Sequence, residues 1–274
     1  MNTTKESPHG TNRKTATGVG GLFTLKSLTT RRKEMITNKK IAISVGVLFI
    51  IATVAGLLGS GLTGSIVGAP DYLVQIAANK NLIIVGALLA FIAATGSAGI
   101  AISLYPVLRK HNEGLALGSV GFRLVEGVCY IVGALGLLSL LSLSQEYGSA
   151  GPQAASTFQV LGTLISAIRN WAGFVFGVIA FCLGAAMYYY VMYRSRLIPR
   201  WLSAWGLAGL ALVFSLALLI AFGEKPSGMV MLLAVPIGLQ EMVFAVWLIV
   251  KGFNPSAVAS EVAKTATNEL LSAA

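Results

Sequence analysis

The chain has 274 residues, of which 55% are hydrophobic and 11% are charged, and its mean hydropathy of +0.78 fits a bundle of lipid-buried helices better than a soluble domain. The formal net charge of +10 would suit a nucleic-acid-binding protein. However, the sequence has no basic stripe with interleaved aromatic residues and no known nucleic-acid-binding signature, so we expect no nucleic-acid partner.

The first 40 residues form a basic segment that holds nine Lys or Arg. Because residues 1–34 are polar and too poor in apolar side chains to bury a core, we predict a disordered N-terminal tail over residues 1–40. Met35 begins a stretch typical of an ordinary start followed by a first membrane helix, so residues 1–34 are interpreted either as a dispensable tail or as an over-extended start. A cleaved secretory signal is disfavoured, because the apolar run of about 18 residues exceeds the usual 7–15.

Six apolar runs are each long enough to cross a hydrocarbon core of about 30 Å. They cover residues 41–59, 82–105, 116–141, 171–193, 202–222 and 229–250. Because no water in the hydrocarbon can satisfy backbone N–H and C=O groups, these runs should be helices. A β-barrel is disfavoured, since barrel strands alternate over about 10 residues and these runs do not. The sequence therefore predicts an all-α polytopic membrane bundle with six transmembrane helices over residues 41–252, followed by a flexible C-terminal tail over residues 253–274.

Basic residues are distributed unevenly between the loops that join these spans. The loop after span 2 holds Arg109 and Lys110, and "RSRLIPR" after span 4 holds three arginines, whereas residues 144–156 hold none. Cytoplasmic loops carry an excess of Lys and Arg, and anionic headgroups attract such an excess. We therefore expect a multi-pass protein of the cell membrane, with the lipid bilayer as its partner and with both its N-terminus and its C-terminus in the cytoplasm.

Two extracytoplasmic loops are predicted to contain short interfacial helices. In "APDYLVQIAANKN", Pro70 and Asp71 stand at a helix start and Asn79 at a plausible stop. In "GPQAASTFQVLGTLISAIRNW", Pro152 opens a second helix whose apolar face leads into span 4. That face comprises Phe158, Leu161, Leu164, Ile165 and Ile168. We favour packed interfacial segments over a lid or binding face, because an amphipathic helix needs no ligand to lie there.

Span 3 contains "GFRLVEGVCY", in which Arg123 and Glu126 stand three positions apart within an apolar stretch. At this spacing the two side chains share a helix face and can touch. Glu241 in span 6 lies ten residues before Lys251, which is about 15 Å of helix rise and also near the midplane. Because a charge at the bilayer centre costs about 2.5–3.5 kcal/mol on insertion scales, we expect all three charges to meet inside the bundle.

The same polar cluster has three further candidate members. Gln240 precedes Glu241, while Arg169 and Asn170 lie at the outer end of span 4, where Trp171 marks an interface. We interpret the cluster either as a site that binds, transports or senses a small polar ligand or ion, or as a clasp between spans 3 and 6 in a non-catalytic membrane scaffold or accessory subunit. The residues leave both interpretations open, and they leave the oligomeric state open as well.

The sequence offers no pattern for catalysis or cofactor binding. His9 and His111 lie outside the spans and far from any Cys/His ligand pattern, which argues against zinc and haem. Cys129 and Cys182 fall inside spans 3 and 4 and are interpreted as small buried residues. Nucleophile-elbow, zinc-protease and phosphate-loop motifs are absent from the sequence. We therefore predict no catalytic residues, no metal and no cofactor, and we lean against an enzyme.

Several segments together carry a resemblance to a protein family. They are "PDYLVQIAANKN", "AISLYPVLRKHNEGLALGSVGFRLVEGV", "LGLLSLLSLSQE", "YRSRLIPRWLSAWGLAG" and "PIGLQEMVFAVWLIVKGFNP". In this order they resemble the bacterial multi-pass membrane proteins of the domain of unknown function (DUF) 4386 family, over roughly residues 41–255. The most specific pieces, "GFRLVEG" and "LQEMVFAVWLIVKGF", hold the three charges. The resemblance implies a multi-pass helical protein and assigns no catalytic residue.

Overall fold

The computed structural model describes the backbone of residues 16–224 and 229–258. It describes the side chains of residues 35–224, except Pro152, and of residues 232–258. The helices in these ranges are α1 (Ala16–Val67), α2 (Tyr72–Ala78), α3 (Lys80–Leu108), α4 (Glu113–Ser149), α5 (Ala155–Asn170), α6 (Val178–Ser195), α7 (Arg200–Ala221) and α8 (Met229–Val250). A 3₁₀ turn, Pro152–Ala154, precedes α5, and a π-helical segment, Trp171–Gly177, joins α5 to α6.

Within the described ranges, six helical segments are long and apolar enough to cross a membrane. They are Met35–Val67, Lys80–Leu108, Glu113–Ser149, Ala155–Ser195, Arg200–Ala221 and Leu232–Val250. The fourth segment combines α5, the π-helical segment and α6 in one continuous helix. This confirms the predicted all-α architecture with six transmembrane helices.

The six spans pack into a closed ring in the order of the chain. Each span packs against the next one, and α8 packs back against α1. Four aromatic side chains meet in the interior, namely Phe49 of α1, Tyr188 and Tyr189 of α6 and Phe244 of α8, with ring centroids of contacting pairs 4.5 to 6.4 Å apart. Because α1 and α6 occupy opposite positions in the ring, these four side chains fill the interior of the ring at the depth at which they meet.

The N-terminal part of α1 extends further than the sequence predicts. The helix begins at Ala16, so it runs through residues 16–40, where the sequence predicts disorder. Once the first span has nucleated a helix, each further residue adds one hydrogen bond and needs no new nucleus, which favours such an extension. The rest of the predicted tail, residues 1–15, lies outside the described part of the chain.

At the other end, the first residues of the predicted flexible tail pack against the bundle. Phe253, Ala257 and Val258 are buried in the same core as the spans. Burying these apolar side chains removes them from water, and this opposes fraying. Residues 253–258 of the predicted tail therefore pack on the bundle, residues 259–274 lie outside the described part, and the flexibility of the tail stays a prediction.

The loop between α1 and α3 contains a short helix at the predicted position. α2 is bracketed by Asp71 at its N-cap position and Asn79 at its C-cap position. Leu73 and Ile76 are buried, and α2 packs against α4. One apolar face is thus enough to hold this helix on the bundle.

The second predicted interfacial helix is continuous with the fourth span. In the predicted apolar face of α5, Leu161, Leu164 and Ile168 are exposed. The packed side of the helix contains Gly162, which is buried and at which a Cβ atom would overlap the hydroxyl of Tyr72. The predicted apolar face is thus divided: Ile165 packs against the core of α3 and α4, Phe158 packs against Tyr147, and the other three side chains face the hydrocarbon, which solvates apolar groups about as well as protein does.

Candidate functional site

Arg123 and Glu126 form an ion pair inside the membrane part of α4. Nη1 of Arg123 lies 3.0 Å from Oε2 of Glu126, and each side chain is 3% exposed. The spacing of three residues places both on one helix face, as the sequence predicts. The two atoms are close without being aligned for a hydrogen bond, and Nε and Nη1 of Arg123 and Oε2 of Glu126 have no hydrogen-bond partner among the described residues. Both side chains therefore retain unused hydrogen-bonding capacity.

Residues of the neighbouring helices pack closely around this ion pair. The guanidinium carbon of Arg123 lies 5.0 Å from the centroid of the Phe181 ring on α6, a distance typical of a cation–π contact. At Gly184, a Cβ atom would lie 3.0 Å from Cγ of Arg123. On the other side, a Cβ at Gly127 would lie 3.2 Å from the carbonyl oxygen of Ala94 on α3. Small residues thus bring both neighbouring helices close to α4 at this level.

Three buried hydroxyl groups near the ion pair have no well-aligned hydrogen bond among the described residues, and those of Ser97 and Tyr188 lie within reach of the Glu126 carboxylate and the Tyr189 hydroxyl. They belong to Ser97 of α3, Ser119 of α4 and Tyr188 of α6, and none of these residues is more than 3% exposed. Ser119 precedes Arg123 by four residues and so lies on the same face of α4. Ser97 lies beside Glu126, and Tyr188 is close enough to Arg123 to interact with it electrostatically. Polar groups from three helices, whose hydrogen-bonding capacity is only partly used, therefore surround the ion pair.

Glu241 lies on α8, which is opposite α4 in the ring. Its side chain is half-buried, and its Oε2 accepts a hydrogen bond of 3.4 Å from Oγ1 of Thr53 on α1. Glu241 acts electrostatically on Arg123. Within the described ranges, however, the ion pair that Arg123 forms is with Glu126. Instead of three charges in direct contact, the structure has one buried pair and a third carboxylate at longer range.

Gln240 belongs to a separate hydrogen-bonded network. Its side chain is fully buried, and its Oε1 accepts a hydrogen bond of 2.7 Å from the hydroxyl of Tyr189. Its Nε2 donates a hydrogen bond of 3.1 Å to the backbone carbonyl of Leu202. This network connects α6, α7 and α8 through a polar side chain whose oxygen and nitrogen are both engaged.

Arg169 and Asn170 lie away from the ion pair. Nη1 of Arg169 donates a hydrogen bond of 3.3 Å to Oδ1 of Asn170, and its guanidinium carbon lies 5.7 Å from the centroid of the Phe174 ring. A Cβ at Gly136 would lie 3.1 Å from Cβ of Arg169. Gly136 follows Glu126 by ten residues, which corresponds to about 15 Å of helix rise. Arg169 therefore lies about three helical turns from the pair, near the other end of the bundle.

Sequence reasoning missed the hydroxyl groups around the charges. Thr53, Ser97 and Tyr188 are placed there by the packing of α1, α3 and α6, and no sequence spacing connects them with α4. Only Ser119 could have been found, because it precedes Arg123 by one helical turn. Among the described residues, no group of three or more His, Cys, Asp or Glu side chains is arranged to hold a metal ion.

Comparison with known proteins identifies a family. The sequence profile described as domain of unknown function (DUF4386) matches residues 44–252, a stretch that covers more than half of the chain and includes all three charges. No curated protein and no solved structure matches the chain. The description of the family names neither an activity nor a ligand.

Proposed function

This chain belongs to the DUF4386 family of domains of unknown function, and from that premise we propose that it is a membrane protein that binds a small polar ligand or ion inside its ring of helices. Arg123 and Glu126 form the centre of the proposed site. Ser97, Ser119 and Tyr188 surround it. Such a site suits a protein that senses or transports its ligand, because ionisable residues inside a membrane commonly mark ligand and ion pathways.

The observation that supports this proposal most is the set of buried polar atoms without hydrogen-bond partners. Water is absent from hydrocarbon, and an unpaired buried donor or acceptor costs about 1–3 kcal/mol, or more when it is charged. Nε of Arg123 is such an atom, and Nη1 of Arg123 and Oε2 of Glu126 contact each other at 3.0 Å without the alignment of a hydrogen bond. A ligand that supplies their hydrogen bonds regains part of this free energy on binding.

The unpaired groups define the chemistry of the proposed ligand. The guanidinium of Arg123 only donates hydrogen bonds, the carboxylate of Glu126 only accepts them, and the hydroxyl groups do both. Because the ion pair is neutral as a whole, the ligand does not have to carry a net charge. A small zwitterion, a small amide or a hydrated ion meets these requirements. The carboxylate of Glu241, at longer range, favours a ligand whose positive end points toward α8.

The geometry of the ion pair argues against a clasp between spans 3 and 6. Arg123 and Glu126 lie on the same helix, so their contact cannot fix the register of one helix against another, which is the best-attested structural role of buried polar groups. Gln240 is different, since its hydrogen bonds join three helices. That network favours the alternative function, a membrane scaffold or accessory subunit, for the α6–α7–α8 side of the ring.

We further propose an orientation in the membrane. Six basic residues lie at one end of the bundle, in the α3–α4 loop, at the end of α6, in the α6–α7 loop, at the start of α7 and just after α8; this end is called the basic end below. They are Arg109, Lys110, Arg194, Arg196, Arg200 and Lys251. Because basic loops are retained in the cytoplasm, the basic end faces the cytoplasm of a cell-membrane protein, and both termini lie on that side.

A structure of the full chain in lipid nanodiscs, at a resolution that shows ordered water, tests the proposed site. The expected result is density for a ligand or ion, distinct from ordered water, within hydrogen-bond distance of both Nη1 of Arg123 and Oε2 of Glu126. Side chains that repack so that these atoms bind only protein groups would refute the proposal and favour the scaffold.

A thermal-shift screen gives a second test. Amino acids, small amides, small amines and alkali cations are added to the wild-type protein and to the Arg123→Gln/Glu126→Gln variant. A true ligand raises the melting temperature of the wild type and leaves that of the double variant unchanged. Arg169→Gln is the matched control, because it removes an arginine from a span about 15 Å away and should keep the response to the ligand.

A further inference from the structure

A cavity of about 600 Å³ opens at the basic end of the bundle, between the α6–α7 loop and the chain that follows α8. Arg196 lines it from the loop, Arg200 from the start of α7, and Lys251 from the end of α8. All three side chains are exposed, and among the described residues no carboxylate lines the cavity. Three positive charges therefore border one concave surface, which is called the basic pocket below.

Hydrogen bonds between the loop and the chain after α8 hold the basic pocket in shape. The backbone N–H of Asn254 donates to the carbonyl of Leu197 at 2.8 Å, and Nδ2 of Asn254 donates to the carbonyl of Arg196 at 3.2 Å. Leu197, Ile198 and Phe253 are buried below these contacts. Arg196 has a φ of 55°, which is uncommon for a residue other than glycine. Its position thus depends on contacts that are already formed.

The first turn of α7 adds to the positive potential at the basic pocket. α7 begins at Arg200, and Pro199 before it provides no side-chain cap. The positive end of the macrodipole of this 22-residue helix therefore lies at the rim of the pocket. Phosphate groups bind at helix N-termini for this reason.

A shallow, open apolar groove of about 420 Å³ lies on the outer face of α8, whose own side chains line it, and meets the basic pocket. Trp247 and Lys251 line both cavities. The other groove residues are Met242, Val243, Val246 and Val250. From residue 242 to residue 250 the helix rises about 12 Å, which is most of the roughly 15 Å that one leaflet contributes to the hydrocarbon core. The half-buried Trp247 stands at the junction, as tryptophan does at membrane interfaces.

We propose that the basic pocket and the apolar groove together form one binding site for an anionic phospholipid. The phosphate lies among Arg196, Arg200 and Lys251, and an acyl chain lies along α8. Basic pockets between transmembrane helices hold anionic headgroups in this way. A free phosphate ion would use only the pocket, whereas a lipid uses both cavities, and their shared lining by Trp247 and Lys251 favours the lipid. This site is separate from the one proposed at Arg123 and does not depend on it.

Native mass spectrometry of the full chain in a neutral detergent tests the proposal. Dioleoyl phosphatidylglycerol and dioleoyl phosphatidylcholine share a phosphate and their acyl chains and differ in net charge. We expect the anionic lipid to bind at least about 10-fold more tightly, because three cations border the pocket. Arg200→Gln/Lys251→Gln should weaken its binding about 30-fold. Arg109→Gln/Arg194→Gln, which removes two charges from the same end outside the pocket, should change it less than about threefold.

Two further measurements separate a lipid from a free anion. Val246→Trp, which fills the groove without changing the charge, should weaken binding of the anionic lipid, whereas Val128→Trp on the exposed face of α4 should not. Inorganic phosphate at the same concentration should not displace the lipid. The proposal would be overturned if the two lipids bound equally, or if the Arg109/Arg194 control lost as much affinity as the pocket variant. It would also be overturned if phosphate displaced the lipid and Val246→Trp had no effect on binding. The substituted side chains are exposed or half-buried, and the melting temperature without lipid verifies that each variant folds.

Discussion

Nη1 of Arg123 lies 3.0 Å from Oε2 of Glu126, and both side chains belong to the same helix. Such a pair lowers the free energy cost of keeping two charges in the membrane without connecting two helices. It therefore reaches the interior as a neutral unit whose hydrogen-bonding capacity is only partly used. This combination distinguishes it from the Gln240 network, in which the polar atoms of the side chain are engaged between helices.

The losses of stability caused by removing Arg123 and by removing Glu126 should not be additive. Arg123→Gln leaves the buried carboxylate of Glu126 without its partner, and Glu126→Gln leaves the guanidinium alone. Each single change should cost about 3–5 kcal/mol. The double variant contains neither charge, so its loss should fall short of the sum of the single losses by about 1–3 kcal/mol. Reversible unfolding in mixed micelles measures these free energies.

Arg169→Gln is the control for this cycle. Among the described residues Arg169 has no carboxylate partner, and it lies about 15 Å from the pair. Its loss should cost less than about 1 kcal/mol. Additive losses in the Arg123 and Glu126 cycle would contradict a coupled pair.

The hydroxyl of Tyr189 should contribute measurably to stability. Tyr189→Phe removes the 2.7 Å hydrogen bond to Oε1 of the fully buried Gln240 and leaves that oxygen without its donor. The expected loss is about 1–3 kcal/mol in the free energy of unfolding. Tyr190→Phe, at the next residue, alters an exposed side chain and should stay within about 0.5 kcal/mol of the wild type. Equal effects of the two substitutions would show that the Gln240 network adds nothing.

The spans and the central ion pair could be predicted from the sequence because both follow local rules. The thickness of the hydrocarbon sets the length of an apolar run. The helical period places residues 123 and 126 on one face. Asp71 and Asn79 bracket α2 for a similar reason, since polar residues at the two ends of a short apolar segment signal a helix start and stop.

The partners of Gln240 could not be predicted, because Tyr189 and Leu202 are 51 and 38 residues away in the chain. Which spans are neighbours depends on ring closure, and no local period encodes it. The same is true of the basic pocket, whose loop and C-terminal sides meet only in the fold. The π-helical segment was missed for another reason, since a shift in backbone hydrogen bonding leaves the apolar pattern unchanged.

Two glycines of the π-helical segment should respond differently to substitution by alanine. At Gly177 a Cβ would lie 2.7 Å from the Tyr130 ring and 3.0 Å from the carbonyl oxygen of Ala172, whereas at Gly173 it would meet nothing within 4 Å. Gly177→Ala should therefore destabilise by about 1–3 kcal/mol through overpacking. Gly173→Ala should be neutral or stabilising by up to about 1 kcal/mol, because alanine favours helix. Thermal unfolding of the two variants measures the difference, and equal melting temperatures would count against the close contact with Tyr130.

The proposed orientation predicts the side of the membrane on which each loop lies. Reporter fusions after residues 112, 150, 197 and 224 should read inside, outside, inside and outside, because the loops near residues 112 and 197 carry the basic residues. Paired alkaline phosphatase and green fluorescent protein fusions report the two sides independently. An outside signal at residue 197 would invert the orientation.

The coupling between Arg123 and Glu241 should be weaker than the coupling between Arg123 and Glu126. Glu126 is 3% exposed and in direct contact with the guanidinium, whereas Glu241 is half-buried and has its own 3.4 Å hydrogen bond with Thr53.

Glu241→Gln can keep that hydrogen bond through its amide oxygen, so the single change should cost about 1 kcal/mol or less. Because the attraction between two charges falls with distance, the Arg123 and Glu241 cycle should give a coupling below about 1 kcal/mol. Thr53→Val serves as the control, since it removes the contact of Glu241 without altering any charge. A coupling as large as that of Arg123 with Glu126 would mean that the three charges act as one cluster, and Glu241 would then belong to the centre of the proposed site.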